Sequence, residues 1–492
     1  MKLQSSKFAI DFKKIKNIKA YRSFLLSHKV KLKSLKSVRD MALLPITDKS
    51  NYINKFKPED LLFKGKVPPM ISASSGSSGR PNFWFRGDEQ EEVGGEIHRI
   101  ILDKIFNIEK KDSTLVVICF SMGVWIAGSY TLSSFRHVAR KGYNLSVISP
   151  GIDREDTLNI LKNLAPRFKN LILAGYPPFI MDVINDASKK GIKLVNKKVK
   201  IITSGDKFSE EWRSDLLSML NMKDADTPLV SIYGSADAGI LGHETPLSIF
   251  LRKEASKNGA LRRELFGDFA GPIPAVVQYY PSEVNFEAVS NELILTTKTA
   301  MPLMRYNIHD TGKILNHAEI KNILEKHGLT KRAIGFGLND WKLPLLVLSG
   351  RTDVAVTFYA LNIYPENIKS SIEDPRITKL LTGNYSAFNR TSDKSKTEKL
   401  YIKLELADSK INRKKIHRLV TNVLVEKLSE FNIEYRKLRS AIGKKALPVV
   451  IFTNPDDNGL NNTNERKLLS LNGKKPRVIL VKSGLWVKKL FT

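Results

Sequence analysis

The chain has 492 residues, 42% hydrophobic and 26% charged, with 80 Lys and Arg against 50 Asp and Glu. This length suits more than one domain, and this apolar share suits a substantial core, which excludes a globally disordered chain. The formal charge of +30 attracts nucleotides, acidic proteins, anionic membranes and nucleic acid without choosing among them. Lysines spread along a solvated surface produce the same figure. The single cysteine, Cys119, lies in the apolar run Leu115–Phe120. It cannot form an internal disulfide, which points to a reducing compartment and a buried thiol. No apolar stretch approaches the ~18 residues that span a bilayer. The segment Phe8–Ile10 is too short for a signal-peptide core, so a cytoplasmic protein is expected.

In chain order, the basic N-terminal stretch to about Val38 reads as helical. Asn82–Phe85 is an apolar run, and Ile97, Ile100, Ile101 and Ile105 follow as a helical stripe. Leu115–Phe120 reads as a buried strand and Leu171–Ala174 as another, followed by Tyr176-Pro177-Pro178 and a helix ending near Gly191. Lys200–Thr203 is a third strand. A helix capped by Ser209 follows it, with Glu210 and Glu211 in its first turn. Leu229–Tyr233 is a fourth strand. This alternation predicts an α/β architecture with helices on a largely parallel sheet. After about Gly350 the pattern changes. Leu400, Ile402, Leu404 and Leu406 alternate with polar residues as a half-buried strand. Ile416, Leu419, Val420, Val423, Leu424, Leu428 and Phe431 form a helical apolar stripe, so a small α+β domain is expected there. Asn454–Lys467 is polar and turn-rich and reads as a mobile loop.

Five segments carry chemistry. The first holds Ser74, Ser75, Gly76, Ser77, Ser78, Gly79, Arg80 and Pro81. Its glycines let the backbone present N–H groups to an anion, its hydroxyls add donors and Arg80 adds charge, which suits a triphosphate. A flexible Ser/Gly linker has the same composition, and the loop is not a Gly-x-x-x-x-Gly-Lys loop. The second, Tyr233-Gly234-Ser235-Ala236-Asp237-Ala238-Gly239, follows a strand directly, where open α/β sheets bind ligands. Tyr233 offers a face to a base, and Asp237 a carboxylate to magnesium. The third, Pro302–Gly312, contains His309, read as an ordinary polar contact, and Asp310, which suits ribose hydroxyls. The fourth is Gly350-Arg351-Thr352-Asp353, followed by Asn362-Ile363-Tyr364-Pro365, and the last is Gly473-Lys474-Lys475-Pro476-Arg477-Val478.

In this order and spacing the segments resemble the adenylate-forming superfamily, and specifically its phenylacetate–coenzyme A ligase-like branch. The resemblance runs from about Asp40 to the C-terminus and includes Leu43-Leu44-Pro45-Ile46-Thr47-Asp48-Lys49, Ser204-Gly205-Asp206 and Glu211-Trp212-Arg213. The basic residue of the first loop precedes the proline, at Arg80, as in that branch.

The resemblance implies a large multi-subdomain N-terminal adenylation domain over residues 1–349, a hinge at 350–353 centred on Asp353, and a small C-terminal lid domain over 354–492. It implies activation of a carboxylic acid by ATP and Mg2+ as an acyl-adenylate, then transfer to coenzyme A. The phosphate loop and Arg80 would hold the β- and γ-phosphates. Tyr233 would stack near adenine beside Gly234, and Asp237 would hold the metal. Asp310 and Arg351 would bind ribose, and Lys474 would meet the α-phosphate. Met122, Trp125, Tyr130 and Tyr176 are the candidate wall of an apolar acid pocket, and the same residues suit a core equally. Two departures from the family pattern stand out. Ala236 replaces its usual Ser or Thr, while Tyr359 and Ala360 stand where the lid strand usually carries an arginine and a glycine. The second departure leaves open a carrier protein, typically acidic, or an amine as acceptor. A non-catalytic basic binding protein on the same scaffold is the reading of another class, and nucleic acid is not the expected partner.

Overall fold

The computed structural model describes residues 8–30, 38–73, 82–124, 126–194, 198–205, 207–222, 227–267, 273–351, 356–358, 361–363, 365–391, 398–455, 478–482 and 485–489. They divide into two compact units. The first comprises Met1–Ser74, Phe83–Gly267 and Ala275–Leu348; the second comprises Ser75–Asn82, Asp268–Pro274 and Ser349–Thr492.

In the first unit, β1 (Met70–Ala73) and β2 (Phe83–Arg86) form an antiparallel pair. The main sheet is built from β3 (Thr114–Cys119), β4 (Leu145–Ile148), β5 (Asn170–Gly175), β6 (Lys198–Ser204), β7 (Leu229–Ser235), β8 (Gly239–His243), β9 (Ala275–Gln278), β10 (Val284–Val289), β11 (Glu292–Thr297), β12 (Tyr306–Leu315) and β13 (Leu345–Arg351). Its order is β10-β11-β12-β13-β9-β8-β7-β6-β5-β3-β4. The expectation of a largely parallel sheet holds for half of it. β4, β3, β5, β6 and β7 pair in parallel. By contrast β7/β8, β8/β9, β9/β13, β11/β12 and β10/β11 pair antiparallel. The cause is local: only Ala236-Asp237-Ala238 separates β7 from β8, and so short a turn can only reverse the chain. In the parallel half, β3 and β5 are buried along their whole length, which explains their continuous apolar runs. Cys119 is inside, where burial pushes its thiol up to about 12. The helix Glu210–Met219 starts as read, with the Trp212 N–H donating to the Ser209 hydroxyl at 3.1 Å.

The second unit contains the hairpin β14 (Val356–Phe358)/β15 (Leu361–Ile363). Its five-stranded sheet is built from β16 (Leu381–Thr391), β17 (Glu398–Leu406), β18 (Val449–Thr453), β19 (Val478–Lys482) and β20 (Leu485–Lys489), in the order β18-β17-β16-β19-β20. Leu400, Ile402, Leu404 and Leu406 join one core with Val420, Val423, Leu424 and Leu428 of the helix Arg413–Phe431. Leu419 is a correction to the apolar stripe: it is 42% exposed, because the 3.6-residue period carries it round from the buried face. The loop expected at Asn454–Lys467 lies outside the described residues from 456 onward. No described helix is long and apolar enough to cross a membrane.

Candidate functional site

The turn after β7 is the centre of the site. Gly234 pairs with Ile240 and Ser235 with Gly239 across it, and a Cβ on Gly234 would sit 2.6 Å from the Gly239 carbonyl, so the hairpin closes only with glycine at 234. Gly239 has φ +80°, the left-handed region that glycine adopts without cost. The Ala238 N–H donates to the Ser235 hydroxyl at 3.1 Å, which fixes Asp237 at the apex.

Asp237 is nearly buried, with its side chain 4% exposed. Its Oδ2 accepts the Tyr306 hydroxyl at 2.7 Å and faces the Lys49 ammonium at 3.2 Å. Lys49 comes from far away in sequence, and Thr47 explains how. The Thr47 N–H donates to the Arg305 carbonyl (3.0 Å), the Asn307 N–H donates to the Thr47 carbonyl (2.7 Å), and the Thr47 hydroxyl donates to the Met304 carbonyl (2.8 Å). The segment around Thr47 is thereby laced to the start of β12. Lys49 also lies 5.6 Å from the centre of the Trp84 ring, and Trp84 meets Tyr306 edge-on at 6.4 Å.

On the other side of the hairpin, the Tyr233 hydroxyl donates to Asp310 Oδ2 at 2.5 Å. Two residues read separately from sequence are thus in direct contact from β7 to β12. Gly312 permits the close packing beyond: a Cβ there would sit 2.0 Å from the Val347 carbonyl of β13. His309 makes a polar contact of 3.4 Å with Glu292.

Arg86, at the end of β2, is fully buried and donates through Nη2 to the Ala236 carbonyl. Burial lowers its guanidinium to about 10, against the opposing pull of Tyr130, Asp237 and Glu91; it stays charged at neutral pH. Its guanidinium lies 6.0 Å from the Tyr130 ring centre. Tyr130 is buried, its hydroxyl donates to the Gln90 carbonyl at 2.5 Å, and its ring faces Gly239. Tyr176, just after β5, is edge-on to Phe120 at 5.1 Å and packs against Gly205. Met122 borders Gly128 and Gly151. The Ala73 N–H donates to the Val124 carbonyl at 2.8 Å, which ties the end of β1 to this segment.

The structure therefore joins Tyr233 with Asp310, and Asp237 and Gly234 with the turn that Tyr130 borders. Ser74, Ser75, Gly76, Ser77, Ser78, Gly79, Arg80, Trp125, Asp353 and Lys474 lie outside the described residues, and the side chain of Arg351, at the end of β13, does too. Lys49, Tyr306, Trp84 and Arg86 were not singled out by the sequence reading. Lys49 and Tyr306 stood inside quoted segments, and a lone arginine closing the run Phe83-Trp84-Phe85 was the available signal for Arg86. Among the described residues no group of three or more His, Cys, Asp or Glu is placed to hold a metal. The donor set does fit a magnesium held by one carboxylate and by phosphate oxygens, since both contacts to Asp237 fall on Oδ2.

No family model matches the sequence, and no curated protein matches it. Its fold is similar to that of solved structures. The structure of 2-hydroxyisobutyryl-CoA ligase in the postadenylation state, in complex with R3-HIB-AMP, gives a TM-score of 0.59 at 13% identity, over 90% of this chain and 83% of that chain. The same ligase in complex with 2-HIB-AMP gives 0.55 at 13% identity, with the same coverage. The large mixed sheet and the small C-terminal sheet unit are the fold of that ligase.

Proposed function

We propose that the chain uses ATP and magnesium to convert a carboxylic acid into an acyl-adenylate and then passes the acyl group to coenzyme A, as a member of the phenylacetate–coenzyme A ligase-like branch. One observation carries the reading. On the fold of an adenylate-bound ligase, the turn after β7 presents a nearly buried carboxylate, Asp237, while Tyr233 beside it touches Asp310. Tyr233, Asp237 and Asp310, which would serve as aromatic face, metal carboxylate and ribose carboxylate, all lie on β7, the turn after it and β12.

The roles follow from charge. Nucleophilic attack by a carboxylate on the α-phosphorus builds negative charge on the phosphates. Asp237 would hold the magnesium, which supplies charge neutralisation there. Arg80 and the loop from Ser74 to Gly79 would take the β- and γ-phosphates, and Lys474 the α-phosphate. Asp310 and Arg351 would hold ribose. The substrate supplies its own nucleophile, so the chain's further task is to hold it in line with the leaving pyrophosphate. Residues 1–349 would form the adenylating domain, 350–353 the hinge at Asp353, and 354–492 the lid. A lid that swings explains how one site serves two half-reactions.

The test separates the halves. Lys474→Ala is expected to abolish adenylate formation from acid and ATP while sparing thioester formation from supplied acyl-adenylate. Equal loss of both, or loss only in Lys475→Ala, rejects the assignment. A carrier protein or amine acceptor is the second reading. It is motivated by Tyr359 and Ala360 and predicts adenylate that accumulates with coenzyme A present.

A further inference from the structure

We infer that Arg86 binds a carboxylate of the acid substrate and thereby sets its selection. The inference rests on the adenylation reading above. Its observation is an imbalance of hydrogen bonds. Arg86 is 1% exposed, yet among the described residues its hydrogen-bond partner is the Ala236 carbonyl at Nη2, and Nε and Nη1 have none. A buried ion with unmade hydrogen bonds is costly, and proteins avoid it unless something else completes the set.

The same unit shows how this chain treats other buried guanidinium groups. Arg213 donates to Glu210, Glu244 and the Leu229 carbonyl; Arg252 donates to Glu210 and to the Phe208 carbonyl. Both are paired to carboxylates. The acids whose charge acts on Arg86 are hydrogen-bonded to other groups and not to it: Asp237 to Tyr306, beside Lys49, and Glu91 to the Ser133 hydroxyl. No carboxylate of the described residues completes the set, which leaves that place to an oxyanion of the substrate. A planar fork with two adjacent N–H groups suits a carboxylate in particular.

The setting favours the acid over the nucleotide. Arg86 lies against Ala236 and the Tyr130 ring, and Tyr130 borders Gly239. The residues read for adenosine, Tyr233 and Asp310, are paired with each other instead. Nη2 carries two N–H groups and the Ala236 carbonyl accepts one of them, so a carboxylate can take a planar fork from the other together with Nε or Nη1.

The test uses the whole enzyme with chain-matched monocarboxylic and dicarboxylic acids, ATP and magnesium. Arg86→Met is expected to raise the acid KM at least tenfold in pyrophosphate exchange, with the ATP Kd unchanged within twofold. Arg86→Lys, which keeps a point charge, is expected to fall between. A penalty on all acids identifies the reacting carboxylate as the ligand; a penalty on dicarboxylic acids alone identifies the second carboxylate. Melting follows each variant, and the acid-induced rise in Tm is expected in the natural protein and absent in Arg86→Met. An unchanged acid KM, or an ATP Kd that shifts instead, overturns the inference while leaving adenylation standing. Exchange absent with every acid in the natural protein overturns both. Should Arg86→Met fail to fold, an unchanged acid KM in Arg86→Lys overturns the inference equally.

Discussion

Asp237 and Asp310 are both nearly buried carboxylates, and a tyrosine hydroxyl donates to each: Tyr306 to the first and Tyr233 to the second. In the proposed function each would give up or share that hydrogen bond when its ligand binds. A hydrogen bond to a charged group contributes about 1.5–3 kcal/mol. Asp310→Ala is accordingly expected to weaken ATP binding about tenfold or more, measured by calorimetry, while melting changes little. Unchanged ATP affinity with a lowered Tm would make Asp310 structural. Lys49 and Asp237 form a partly buried ion pair. Lys49→Met and Asp237→Asn are expected to be non-additive in urea unfolding, with a coupling of about 1–2 kcal/mol. Additive effects would show that Lys49 serves only the surface. Asp237 and Asp310 were legible in the sequence because each stands in a short ordered motif. Lys49 was not, because its role depends on Thr47 binding to β12, a contact across more than 250 positions that spacing does not encode.

The strands and helices of the parallel half were readable from runs of apolar residues bounded by turns. Strand direction was not, since an apolar run looks the same in either sense, and the sheet reverses from β8 onward. A buried charge network in the same unit was equally invisible. Glu210 and Arg213 on one helix meet Glu244, just after β8, and Arg252 on the helix Pro246–Lys257, closing within 2.6–3.0 Å. Burial alone would push the Glu210 carboxyl upward, but the charges of Arg213, Arg252 and Lys253 outweigh it and hold it below the ordinary value. With the folded value depressed, the contribution to stability is complete above the unfolded value of about 4.3 and is lost as pH falls through the folded one. Unfolding titrations are expected to show stability dropping below about pH 5. Glu210→Gln should lose about 3 kcal/mol at neutral pH and flatten that slope. An unchanged slope in the variant would remove Glu210 from the account.

At the scale of the whole molecule, the apolar alternation and the change of pattern near Gly350 marked an α/β unit followed by a small α+β unit, and the architecture has that form. The charge of +30 suits anionic substrates but does not select among them, so neither the acid nor the acceptor was legible in composition. What unites residue, element and molecule is the claim that this site makes acyl-adenylate. The most direct measurement is ATP–pyrophosphate exchange by the natural protein across a panel of aryl and acyl acids, with and without magnesium. The account predicts exchange that needs both an acid and magnesium and that disappears in Asp237→Ala. Exchange with no acid in the panel, by a protein that is folded and saturated with ATP, would contradict it.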